Sequence, residues 1–103
     1  MSKFENVSVV KKANVYFDGK CVSHNIELPD GTSKSVGVIL PSTLTFTTGA
    51  PEIMELIEGE AKVTLAGETE AVTYRGGESF NVPGDSSFVI EVVDTVHYVC
   101  HFG

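Results

Sequence analysis

Alternation with a period of two runs through most of this 103-residue chain, and no other feature restricts its fold as strongly. Residues 20–28, 35–40, 43–48, 52–58, 61–66, 69–75, 79–82, 87–93 and 96–102 each read as a short β-segment. Turn residues separate them: Pro29-Asp30-Gly31-Thr32, Gly49-Ala50-Pro51, Gly67-Glu68 and Gly76-Gly77. About nine or ten short strands, with turn signals roughly every 8–12 residues, make the pattern of an all-β sandwich or barrel. Residues 3–12 fit one helical turn and a strand equally well, because Val7, Val9 and Val10 favour the strand. No linker, repeat or low-complexity stretch interrupts the pattern. One compact β-domain at 14–103 is expected, with 1–13 as an N-terminal extension or edge strand.

Composition narrows what such a domain does. Apolar residues make up 42% of the chain, with six Phe and three Tyr, as a packed core requires. The formal net charge is −7, and residues 35–103 contain only Lys62 and Arg75 as cations. A surface of that sign repels polyanions and argues against nucleic-acid binding. No run approaches the roughly 18 apolar residues of a membrane span, and the first residues lack an apolar export segment. A soluble cytoplasmic protein is expected. Cys21 and Cys100 stand alone in apolar segments, as reduced buried thiols do.

Two spacings sharpen the fold. Six residues separate Glu52 from Gly59, and five separate Gly77 from Pro83. Together they resemble the second half of the first cupin signature and the first half of the second. Gly59 fits a hairpin between two strands, and Pro83 ends a strand that needs no further N–H donor. The expected architecture is a single-domain, cupin-like jelly-roll β-barrel. The histidines that complete both signatures as metal ligands are missing. Their places fall within Thr45-Phe46-Thr47-Thr48 and on Phe88. Threonine hydroxyls are weak transition-metal ligands and phenylalanine is none, so neither a metal nor another cofactor is expected.

A closer resemblance rests on longer strings. Residues 14–20, 35–38 and 45–52, Met54, residues 77–84 and Tyr98-Val99-Cys100 are similar to the small pyrimidine/purine nucleoside phosphorylases, most distinctively in Phe80-Asn81-Val82-Pro83-Gly84 together with Pro51-Glu52. The similarity extends from Tyr16 to Phe102. It implies a homodimeric cupin that cleaves purine and pyrimidine nucleosides with inorganic phosphate, giving a free base and ribose 1-phosphate without a required metal. A non-catalytic small-molecule-binding cupin is the alternative. A metal-dependent isomerase or dioxygenase is disfavoured by the Thr45–Thr48 segment and Phe88.

Phosphorolysis places positive charge on the ribose and negative charge on the departing base, so it needs positioning and polar complementarity more than a nucleophile. Glu52 is the candidate catalytic residue, binding ribose hydroxyls and favouring the developing cation. Thr45, Thr47 and Thr48 are candidates for sugar or phosphate, though Thr also suits a solvated β-face. Asn81, facing away from Phe80 and Val82, suits a base edge or the backbone of the Pro83 turn. Phe88 would stack a base or fill the core. Lys20 and Arg75 are the cationic candidates for phosphate. His97 and His101 share one face with Val99, pointing outward or toward a partner subunit, and His24, His97 and His101 have no metal-ligand spacing.

Overall fold

Two long strands organise the molecule, and seven short ones are arranged around them. In chain order the strands are β1 (Ser8–Val9), β2 (Asn14–Tyr16), β3 (Cys21–Glu27), β4 (Ser33–Ile39), β5 (Ser42–Thr47), β6 (Glu52–Leu65), β7 (Val72–Arg75), β8 (Ser79–Val82) and β9 (Ser87–Phe102). A single 3-10 turn at Phe17–Gly19 joins β2 to β3. The structure is a computed structural model describing residues 2–102; Met1 and Gly103, the ends of the two segments read from the sequence, lie outside the described residues.

The long strands β6 and β9 pair antiparallel from Glu52 opposite Phe102 to Leu65 opposite Phe88. The first half of β9 also carries β5, and its second half carries β4. The first half of β6 carries β8 and its second half β7. All nine strands therefore join one sheet, in the path β1-β3-β4-β9-β6-β7, with β2 on β3. The path does not return on itself, so the cupin-like jelly roll is all-β but its sheet is not closed.

Gly59 departs from the hairpin read from the spacing. The strand runs straight through it, with register shifts between Leu56/Glu58, Glu58/Glu60 and Glu60/Ala61. Gly59 has φ +102, and an added Cβ there would collide with the Thr95 carbonyl oxygen and lie 2.8 Å from Val96 Cα. Glycine is thus needed for a bulge and a close backbone approach, not for a chain reversal. The same bulge explains β9. Residues 87–93 and 96–102 are one strand, because Asp94 pairs with Glu60 across the irregularity instead of turning.

Bending two shared strands puts the halves of the sheet face to face. Ile39, Leu56, Ile90, Val82, Val96 and Cys21 are completely buried between them. Each such aliphatic side chain contributes about 1.5–3 kcal/mol by leaving water. The alternation within β8 is clean: Phe80 and Val82 are buried, Ser79 and Asn81 exposed. At the N-terminus, β1 extends the edge of β3. Val10 N donates to Asn25 O at 2.9 Å, and the Val10 carbonyl lies 3.0 Å from His24 Nδ1. Strand pairing, rather than a helical turn, satisfies this segment.

Candidate active site

Register decides which side chains meet on the inner surface. Asn25 pairs with Ser35, Ser35 with Cys100 and Cys100 with Met54. The next inward row runs from Ser23 through Gly37 and Tyr98 to Leu56. Side chains of one parity share a face, so Ser23, Asn25, Ser35, Tyr98 and Cys100 of these rows form a mostly polar wall. They face a cavity of about 310 Å³, at the lower end of the roughly 300–1,000 Å³ usual for small-molecule sites.

The wall is hydrogen-bonded. Asn14 Nδ2 donates to Asn25 Oδ1 at 3.0 Å and to Ser23 Oγ at 3.4 Å. Both donors of Asn14 are thereby used. Tyr98 Oη lies 3.5 Å from Cys21 Sγ below this row. The opposite wall is aromatic. Phe17 meets Phe46 edge-on at 5.3 Å, and Phe46 stacks on Phe88 at 5.5 Å with the rings 19° apart. Phe17 and Asp18 hold φ +53 and +54, so the turn at the cavity rim adopts a left-handed backbone that non-glycine residues seldom adopt.

Glu52 begins β6 where the two walls converge. Burial raises its carboxyl above the usual carboxylate range, and a hydrogen bond with the Cys100 thiol offsets part of that rise. Burial pushes the Cys100 thiol up to about 12, with the adjacent Glu52 charge adding to the effect. Burial also raises the Tyr98 phenol and the Cys21 thiol. Neither thiol has thiolate character. No Lys or Arg lines the cavity among the described residues, which leaves Glu52 as its one carboxyl.

The candidates from the sequence divide by position. Glu52 and Phe88 lie inside the cavity, while Thr45 and Thr47, both exposed, border it along β5. Thr48 is turned away from it and ties two loops together. Its hydroxyl donates to Pro83 O at 2.7 Å and accepts from Ser86 N at 3.0 Å. Asn81 is on the outer surface opposite Ile53. Arg75 Nε lies 3.1 Å from Glu60 Oε1 on the exterior, and Lys20 is exposed beyond the 3-10 turn. The structure does not bring these four to the cavity. It adds Asn14, Ser23, Asn25, Ser35, Phe17 and Phe46, which sequence reasoning missed. The signal for Ser23 and Asn25 was their shared parity with the buried Cys21. Among the described residues, no three His, Cys, Asp or Glu side chains converge as metal ligands.

A larger and more open groove of about 620 Å³ lies on the outside of the same strands, bordered by Phe4, Val36, Val38, Ile57, His97 and His101. Its polar groups are engaged with one another, as His101 is with Glu55, on an open surface, so the more enclosed inner cavity is the candidate active site.

A bent, unclosed β-sheet with a polar and aromatic cavity between its halves defines a single-domain cupin-like protein. Bacillus subtilis oxalate decarboxylase shares this fold at TM-score 0.68, with 14% identity over 86% of this chain and 27% of that one. The chain belongs to the pyrimidine/purine nucleoside phosphorylase family, whose model matches residues 11–102. It is 75% identical, over the full length of both chains, to the pyrimidine/purine nucleoside phosphorylase of Nocardia farcinica. A crystal structure of a protein of unknown function from Acinetobacter sp. ADP1 superposes at TM-score 0.96, with 50% identity covering 98% of each chain.

Proposed function

We propose that this protein is a broad-specificity nucleoside phosphorylase, transferring the ribosyl group of purine and pyrimidine nucleosides to inorganic phosphate. The observation that carries this reading is a two-faced cavity, aromatic on one side and hydrogen-bonding on the other, in a chain of this family. Phe46 and Phe88 suit the face of a base, and stacking tolerates purines and pyrimidines alike. Ser23, Asn25 and Ser35 suit ribose hydroxyls, and Thr45 and Thr47 suit the phosphate at the rim. Glu52, where the two walls converge, suits the ribosyl centre. Thr48, Asn81, Lys20 and Arg75 act outside this site: Thr48 as a loop tie, Arg75 as a surface ion pair.

The same reading makes the protein a homodimer, and the groove on the outer face, where Ile57 is 46% exposed, supports a partner surface there. Two buried free thiols support a reducing, cytoplasmic setting.

The test is direct. EDTA-treated protein is incubated with uridine or inosine, with and without phosphate, and free base is measured. Release that requires phosphate and survives chelation is the expected result. No release across a panel of nucleosides would overturn the reading in favour of a non-catalytic binding cupin.

A further inference from the structure

The departing base must collect a proton, and few groups in the cavity are able to supply one. All three histidines lie away from it. His97 and His101 are on the outer face, and His24 faces the Val10 carbonyl. Serine, threonine and asparagine are too weakly acidic to protonate a base near neutral pH. The Tyr98 phenol and Cys100 thiol are buried and engaged with their neighbours, Tyr98 with Cys21 and Cys100 with Glu52. Tyr16 reaches the site only from the rim, 47% exposed. Glu52 remains.

The cavity also sets the charge that Glu52 carries when phosphate arrives. No Lys or Arg among the described residues lines it. A phosphate anion and an ionised carboxylate sharing one uncompensated cavity repel strongly, and such pairs relieve the repulsion by keeping a proton on one partner. Glu52 also borders an outer groove of about 480 Å³ with His101, whose two ring nitrogens are engaged by Lys34 and Glu55; the other groups facing Glu52 carry no charge. Val82 of β8 and Phe102 of β9 are its strand partners, and the Cys100 thiol is neutral.

We propose that Glu52 enters the reaction as a neutral carboxylic acid and gives its proton to the departing base. This rests on the phosphorolysis reading above. As a phosphate oxygen forms its bond to C1′ of the ribose, the bond from C1′ to the base nitrogen breaks, and its electron pair goes to that nitrogen. The nitrogen takes the Glu52 proton. The carboxylate left behind stands beside the ribosyl centre as positive charge develops there, which is where it stabilises most. The proton carried in by hydrogen phosphate then restores the acid. The products are a neutral base and the ribose phosphate dianion, and no oxidant or reductant is required.

The experiment compares uridine with its ring-fluorinated analogue, whose base leaves more readily as an anion and depends less on a proton. Glu52→Gln keeps the shape of the side chain and loses the acid. Its kcat/KM on uridine is expected to fall about 10²- to 10⁴-fold, the usual worth of general acid catalysis, and its loss on the fluorinated analogue to be at least roughly tenfold smaller. In the unsubstituted protein at saturating phosphate, kcat/KM for uridine falls as pH rises through the raised Glu52 titration, and Glu52→Gln removes that limb. Equal losses on both substrates, or a leaving-group-dependent loss in Tyr16→Phe instead, would overturn the proton transfer while leaving phosphorolysis intact. Absence of phosphorolysis in the unsubstituted protein marks the failure of the underlying reading.

Discussion

The strands β3, β4 and β9 present two unlike surfaces. Inward they carry Ser23, Asn25, Ser35, Tyr98 and Cys100; outward they carry His24, Lys34, His97 and His101. The outer set holds the chemically stronger residues. Lys34 Nζ lies 2.8 Å from His101 Nδ1, and His101 Nε2 lies 2.9 Å from Glu55 Oε1. A lysine can only donate, so His101 accepts at Nδ1 and donates from Nε2, a neutral tautomer with both ring nitrogens satisfied. The inner residues are individually weaker, yet burial raises the titrations of Cys100, Tyr98 and Glu52. Convergence and exclusion of water make the site, not the reactivity of the residues taken singly.

The contrast breaks most visibly at Phe88, which is 2% exposed and belongs to both core and cavity. Phe88→Ala is expected to cost about 3–5 kcal/mol in urea unfolding. Phe88→Leu is expected to fold at a cost below about 1.5 kcal/mol and to bind nucleoside less tightly, because the flat ring is gone. Wild-type affinity in the leucine variant would remove Phe88 from base recognition.

A smaller effect is expected at Asn25, an exposed residue whose contribution is to the polar wall. Asn25→Ala should lower kcat/KM roughly tenfold, the scale of one hydrogen bond, and change stability by about 1 kcal/mol or less. A stability loss without any kinetic change would make that wall purely structural. The smallest effect belongs to the outer face. His101→Ala breaks both contacts of the Lys34–His101–Glu55 chain, yet part-buried hydrogen bonds of this kind contribute only about 1 kcal/mol each. Turnover is expected to be unchanged, and a drop of an order of magnitude would erase the distinction between the two faces.

Much of the arrangement was legible in the residues. The signature spacings located Glu52 and Phe88, which share the cavity, and alternation separated Asn81 from its buried neighbours Phe80 and Val82. Arg75 and Lys20 drew attention as rare cations, but charge says nothing about direction. Arg75 meets Glu60 because the two are strand partners on the exterior. Asn14, Ser23, Asn25 and Ser35 were overlooked because Ser and Asn in short strands resemble ordinary turn-proximal residues. Only the pairing of three strands brings them into one wall.

Alternation was decidable from the chain alone, because a strand side chain has two directions available and neighbours take opposite ones. It established the all-β class, grouped His97 with His101 and set Tyr98 with Cys100 on the other face. Which face looks inward, and which rows meet across the cavity, depended on contacts between distant residues. Cys21 and Tyr98, 77 positions apart, lie 3.5 Å from each other only because β4 joins β3 to β9 in one register. Gly59 bends the long strands there, and a bulge is specified by the carbonyl it must approach, which no local pattern contains.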